Sequence, residues 1–225
     1  MSQLILNFEH QIPPDFTPFL GQANEQLRQV LQQNHERLVY VWAAQGRGKS
    51  HLLKAWIAQA LHQGCSAQYW DAQSKPFALC LTQAQYVAID GVEFLDDGEQ
   101  QDLFHLFNQI RDGGFGYLLM SANIPPLQLN LREDLRTRMA YALVYELKAL
   151  SDDEKMAALK SLAQSRQLAI GDELFKFLLS HWHRDIDSLV SMVQRLDDYS
   201  LMTGRRITLP LLKQLLEEEN ESSHI

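Results

Sequence analysis

Residues 38–53 read Leu-Val-Tyr-Val-Trp-Ala-Ala-Gln-Gly-Arg-Gly-Lys-Ser-His-Leu-Leu, and this stretch decides the fold. It begins with a β-rich apolar run, Leu38 to Ala43, that reads as a buried strand. It ends by opening a helix, Lys49 to Leu61, on which Leu52, Leu53, Trp56, Ile57, Ala60 and Leu61 share one face. Between the two lies Gln45-Gly46-Arg47-Gly48-Lys49-Ser50. Glycines in such a loop let backbone N–H groups turn toward phosphate oxygens, and the helix N-terminus adds its positive dipole end. Lys49 would reach the β-phosphate, or the γ-phosphate when present, and the Ser50 hydroxyl would ligate Mg²⁺. Strand before and helix after is the context a phosphate loop requires. The full pattern also asks for a glycine at position 43, where this chain has Ala43. The competing reading is a glycine-rich turn that caps a helix and binds nothing.

Working outward, Ala67–Trp70, Tyr86–Ile89 and Tyr117–Met120 read as further strands, and Leu103, Phe104, Phe107 and Ile110 as a helix face. Alternating strands and helices of these lengths predict an α/β layer with a mostly parallel sheet. Asp90 ends the third strand, where it can hold Mg²⁺ through water beside Ser50. The next residue is Gly91, which has no side chain to polarise an attacking water. Glu93 is expected to point elsewhere if the strand stops at Asp90. Such a chain would hold nucleotide well and hydrolyse it slowly.

Past about residue 150 the pattern becomes purely helical. Ser151 and Glu154 form a capping box that opens a helix with Met156, Leu159 and Leu162 inward. Asp172–Ser180, then Ile186, Leu189, Val190, Val193 and Leu196, predict two more helices. A last helix follows Thr208 and carries Leu211, Leu212, Leu215 and Leu216. The expected division is an extended arm over 1–11, an α/β nucleotide-binding domain over 12–148 and a small all-helical lid over 149–225. Pro13, Pro14 and Pro18 break regular structure near the start.

Composition bounds the function. Of 225 residues, 46% are hydrophobic and 21% charged, which suits a sizeable core and excludes disorder as the main state. No apolar run approaches the ~18 residues that span a bilayer, so no membrane role is expected, and the absent signal peptide points to the cytoplasm. Cys65 and Cys80 have no partners at metal-ligand spacing and read as reduced thiols. Net charge is −8, which disfavours DNA binding by this chain alone, since phosphate neutralisation supplies most such affinity. Trp42, Trp56 and Trp70 lie on predicted core elements, and Asp96, Asp97 and Glu99 read as a loop and helix start.

In its segments and their order the chain resembles the AAA+ ATPases, and within them the relatives of the bacterial replication initiator DnaA. The resemblance spans roughly residues 12–216. Phe16-Thr17-Pro18-Phe19-Leu20-Gly21, with Asn24, is similar to the opening segment that contacts the base. Gly48-Lys49-Ser50-His51-Leu52-Leu53 is close to the initiator's loop and helix start, and Ile89-Asp90 matches the Mg²⁺ strand. Leu119-Met120-Ser121-Ala122-Asn123 resembles the first sensor, which implies that Asn123 is the polar residue near the γ-phosphate. Leu135-Arg136-Thr137-Arg138-Met139 resembles the arginine-finger segment, which implies that Arg138 acts on a neighbour's triphosphate. The alternative for Arg138 is a surface pair with Glu133 or Asp134.

The initiator carries a helical DNA-binding domain after its lid and a partner-binding domain at its front. This chain is expected to carry neither. Its front reads Gln3-Leu4-Ile5-Leu6-Asn7-Phe8, similar to the short peptides that dock on the bacterial sliding clamp, the beta subunit of DNA polymerase III. Leu6 and Phe8 would fill an apolar pocket, Leu4 would support them and Gln3 would bond the rim. The competing reading is an edge strand. The layout resembles a regulator that inactivates DnaA after initiation. It implies bound ADP or ATP, Mg²⁺ where present, DnaA and the clamp as partners, contact with DNA and nucleoid only through the clamp, and self-association through the finger-to-loop face. One departure stands out: by alignment on Leu189, the lid's second sensor, an arginine in the initiator, is Asp187 here, with Arg184 one helical turn away. Either Arg184 takes the role or the sensor is lost. The rival functions are a self-sufficient ATPase such as a helicase loader, and a DnaA-type DNA-binding factor.

Overall fold

The computed structural model describes residues 20–73, 83–183 and 185–222. Five strands form one parallel sheet: β1 (Leu38–Trp42), β2 (Ala67–Asp71), β3 (Tyr86–Asp90), β4 (Tyr117–Ala122) and β5 (Leu143–Glu146). Their spatial order is β2-β3-β4-β1-β5, with every neighbouring pair parallel. Parallel strands must be joined by crossovers, and those crossovers cover both sheet faces with helices. That is why Leu38-Val39-Tyr40-Val41-Trp42 is apolar without alternation.

Tyr40 packs on one face with Leu103, Phe107 and Ile110 of α3 (Asp97–Gly113) and Leu135 and Met139 of α4 (Glu133–Tyr141). Val39 and Val41 pack on the other with Leu27 and Leu31 of α1 (Glu25–Gln33) and Leu52, Leu53 and Trp56 of α2 (Lys49–His62). Asp96 and Glu99 cap α3 reciprocally, as a loop-to-helix start should. Trp56 and Trp70 are buried and Trp42 is partly so. Leu61, expected on the inner face of α2, is 54% exposed instead, because it lies in the last turn, beyond the edge of the sheet it would have to cover. The short β5 had no signal of its own. Its burial alternates weakly, and it exists by pairing with the free edge of β1.

After β5 the chain forms α5 (Asp152–Ser165), α6 (Asp172–His181), α7 (Ile186–Thr203) and α8 (Leu209–Ser222). These four bury a separate core, with Leu159, Leu162, Phe175, Leu178, Leu189, Val193 and Leu212 at its centre. Ser151 and Glu154 close the capping box on α5 as expected. The α/β layer with an all-helical lid is therefore present, as the sequence pattern predicted. Among the described residues no helix is long and apolar enough to cross a membrane.

Three contacts stitch the lid to the layer. Asn24 is buried, and its side-chain amide bonds the backbone of the linker in both directions: Nδ2 donates to the Lys148 carbonyl at 3.0 Å and Oδ1 accepts from the Lys148 N–H at 2.8 Å. Asn24 thus holds the main chain together. Glu154 accepts from the Gln22 N–H at 2.8 Å. The third contact lies at the glycine loop.

Candidate nucleotide site

The loop after β1 is shaped by two glycines. Gly46 has φ 77° and Gly48 has φ 89°, left-handed conformations that side-chain-bearing residues rarely adopt. Between them they turn the backbone so that α2 begins at Lys49 with its free N–H groups facing the cleft. Ala43 replaces the expected glycine without strain, since it is not among the residues with positive φ. It is buried, donates its N–H to the Ala122 carbonyl at 3.2 Å, and thereby extends β1 one step beside β4.

Lys49 is buried at the foot of the loop. Its ammonium donates to the Ala43 and Ala44 carbonyls at 2.9 and 3.2 Å and to Asn123 Oδ1 at 2.9 Å. Burial pulls its pKa down, opposed by the nearby carboxylates of Asp90, Glu93 and Asp187. The sheet order explains the meeting with Asn123: β4 lies between β3 and β1, so the residue after β4 emerges between the loop and Asp90.

Asp90 is buried at the end of β3. Its Oδ2 accepts from the Tyr69 hydroxyl at 2.8 Å and its Oδ1 from the Ser121 hydroxyl. The Tyr69 hydroxyl also meets Ser50, so it bridges the two residues that would hold Mg²⁺. Burial, together with Asp90, drives the Tyr69 pKa upward, so the phenol keeps its proton for this bond. Hard oxygen donors on a cleft wall suit Mg²⁺, which binds proteins through one or two such groups plus substrate phosphates. Tyr69 and Ser121 were not foreseen in these roles. Ser121 follows the Ile89–Met120 pair and so falls level with Asp90, whereas Tyr69 is level with Ala88 and reaches Asp90 by the length of its side chain.

Glu93 corrects an expectation. It does not point away but lines the cleft, because Gly91 at φ 75° turns the chain into a short 3₁₀ helix, Val92–Phe94, that folds back over the strand ends. Its Oε1 accepts from the Asn123 N–H at 2.9 Å, and its Oε2 is buried with no hydrogen-bond partner among the described residues.

His51, on the first turn of α2, is buried, and its pKa falls to about 4, chiefly through burial and further through Lys54 and Arg166. Arg47 is exposed, at the smaller of the two cavities described below. Arg184 and the arm residues Gln3, Leu4, Leu6 and Phe8 lie outside the described residues, as do Phe16–Phe19 and Cys80.

Asp187 stands where the initiator-like arginine was expected. Its Oδ2 accepts from the Gly48 N–H at 3.2 Å. Beside it the Ile186 N–H donates to the Gly46 carbonyl at 3.2 Å, and a Cβ on Gly46 would come within 2.6 Å of Asp185 Cβ. The N-terminus of α7 therefore sits directly on the loop. Two cavities flank this contact. One, of about 500 Å³, is lined by Lys49, Ser50, Asp90, Glu93, Asn123 and Asp187 among others, and the second, of about 290 Å³, by Arg47, Ala149, Leu150, Lys155 and Ile186. Both share Gln45, Gly46 and Asp185.

Arg138 lies on α4 in a separate surface groove with Arg111, Arg132, Glu133, Asp134, Thr137 and Tyr141, none of which lines the loop cavities. The anticipated pairing with Glu133 or Asp134 is not its arrangement. Asp134 pairs with Arg132 at 3.0 Å, whereas the Arg138 guanidinium lies 4.4 Å from the centre of the Phe104 ring.

Comparison with known proteins places this geometry. Residues 152–216 match the family model described as "Hda, lid domain". The helical lid of this chain is therefore an Hda-type lid. Domain III of the replication initiation protein DnaA from Thermotoga maritima superposes with a TM-score of 0.71 at 19% identity, over 91% of this chain and 96% of that one. AMPPCP-bound DnaA from Aquifex aeolicus gives 0.60 at 18% identity, over 90% of this chain and 65% of that one. Protein NMB1076 from Neisseria meningitidis is 48% identical over 66% of this chain and 99% of its own, with a TM-score of 0.47. The lid model and the shared fold agree with the AAA+ reading of the sequence.

Proposed function

We propose that this chain regulates replication initiation: holding an adenine nucleotide and tethered to the sliding clamp by residues 1–11, it presents Arg138 to ATP bound on DnaA. The observation that carries this reading is the separation of Arg138 from the chain's own loop. A guanidinium in a groove that shares no lining with the phosphate cleft does not reach that cleft, which supports a role toward a neighbour's triphosphate. Hydrolysis needs the charge developing on the terminal phosphate neutralised, and an arginine supplied in trans is worth ~10³–10⁵ in rate. The Hda lid match and the DnaA fold point to DnaA as that neighbour.

In this mechanism the chain's own nucleotide is structural. Gly46, Gly48 and Lys49 would hold its phosphates, with Ser50 and Asp90 around Mg²⁺ if it is bound. Mg²⁺ would neutralise charge on the phosphates. Gln3, Leu4, Leu6 and Phe8 would bind the clamp, bringing Arg138 to DnaA on DNA. Gly91 leaves the usual water-polarising position empty of a side chain, and Glu93, though it lines the cleft, is engaged by the Asn123 N–H; both support slow turnover by this chain alone.

ATP hydrolysis is measured for DnaA alone, for this protein alone, and for both with clamp-loaded DNA. Strong stimulation in the complete mixture, lost in Arg138→Ala while clamp binding persists, is the expected result. Stimulation that survives Arg138→Ala would overturn the role of Arg138. Rapid hydrolysis by this chain without DnaA would favour the self-sufficient ATPase instead.

A further inference from the structure

The lid carboxylate on the glycine loop has a consequence for what that loop admits. In a phosphate loop, the N–H of the glycine before the lysine is a phosphate donor. Here that N–H is taken by Asp187 Oδ2 at 3.2 Å. The contact is built from three consecutive residues, the N-cap and the first two residues of α7. Asp185 caps the helix by accepting from the Ser188 N–H at 2.8 Å, Ile186 donates its N–H to Gly46, and Asp187 reaches Gly48. The side chain of Ile186 closes the remaining space, since a Cβ on Gly48 would lie 2.9 Å from its Cγ2. The same bridge divides the groove into the two cavities. One side offers a cation and hydroxyls, Lys49 and Ser50, and the other offers the apolar surface of Ala149, Leu150 and Ile186. A nucleotide with its phosphates on Lys49 and its base against Leu150 must pass through the bridge.

We infer that Asp187 is a tethered stand-in for phosphate, so that nucleoside di- and triphosphates bind this chain by displacing it and lifting the start of α7 from the loop. The direction is opposite to that of an arginine at the same place. A guanidinium would be drawn down onto phosphates, whereas a carboxylate is repelled by them. Nucleotide therefore loosens the lid-to-loop contact here, and Asp187 sets how readily the loop is filled. The charged groups facing Asp187 are Lys49, which attracts it, and Asp185 and Asp90, which do not. Once phosphate takes Lys49, nothing in that set holds the carboxylate in place. This inference rests on the nucleotide reading of the loop.

The test uses full-length protein and a fluorescent ADP analogue, with Asp187→Asn and Asp187→Ala compared to the native chain. Asp187→Asn keeps the shape and removes the charge, and Asp187→Ala removes both, so folding of either one suffices. The expected result is affinity raised on the order of tenfold, about 1.4 kcal/mol, in the variants. In parallel, amide exchange of the 185–190 segment is followed by mass spectrometry. ADP should speed exchange at the Ile186 amide of the native chain, and the Asp187→Ala variant should show that faster exchange without ligand. Equal or weaker affinity in both variants, or slower exchange on adding ADP, would overturn the inference and leave nucleotide binding intact. Binding by the variants but not by the native chain would support it. If none of the three proteins binds, the inference and the nucleotide reading fall together.

Discussion

The guanidinium of Arg138 rests 4.4 Å from the centre of the Phe104 ring, on a different helix. A flat cation over an aromatic face is held in direction as well as position, and the Asp112 carboxylate lies near enough to feel its charge. Phe104 thereby limits how far the long side chain wanders before a partner arrives, and less entropy is lost on docking.

Replacing Phe104 with Leu should keep the fold, because the ring is only partly buried against the α3–α4 core. It should lower stimulation of DnaA-bound ATP hydrolysis by about two- to thirtyfold, in line with a cation–π contact of ~0.5–2 kcal/mol. The check is the hydrolysis assay at saturating protein, with clamp binding measured alongside. Unchanged stimulation would mean that the ring is only a spacer.

Asn24→Ala should destabilise the protein by about 2–4 kcal/mol, because it strands both the N–H and the carbonyl of Lys148 away from their partner. Asn24→Asp restores the acceptor for the Lys148 N–H but not the donor for its carbonyl, and should recover only part. Urea unfolding of the three proteins gives the comparison. A loss below about 0.5 kcal/mol for the alanine variant, the range of an ordinary surface change, would show that water replaces the side chain.

The burial of His51 makes stability depend on pH in one direction. Its pKa falls from the ordinary 6.5 to about 4 in the folded chain, so between these values the unfolded chain binds more protons. The contribution is present in full above pH 6.5 and is lost as pH falls toward 4, with a span on the order of 3 kcal/mol. Urea unfolding from pH 7.5 to 4.5, in nucleotide-free buffer with chelator, should show this slope in the native chain and a flatter one in His51→Gln. Parallel slopes would place the pH dependence elsewhere.

The layer architecture was legible because its signal is local and repeated. Apolar runs such as Leu38–Trp42 end at turn residues, and Gly46 and Gly48 announce the loop between strand and helix. β5 was not legible because a short edge strand carries no pattern of its own and borrows its conformation from β1. Lys49, Asp90 and Asn123 could be read as one site because each ends or follows an element at the same edge of a parallel sheet. Glu93 was misread through the reach of Gly91: a positive φ at that residue redirects three residues after it, and sequence spacing alone does not carry that turn. Asp187 was visible as an oddity, but its bond to Gly48 joins residues 139 apart in sequence. No local pattern encodes such a contact.

Asn24 clasps the linker and Gln22 meets Glu154 at the start of the lid, so the chain just after residue 19 is anchored at the seam between the two cores. Anything that grips the front of this molecule pulls on neither half alone. A pull on Leu20 would therefore reach both cores at once, through the linker that joins them.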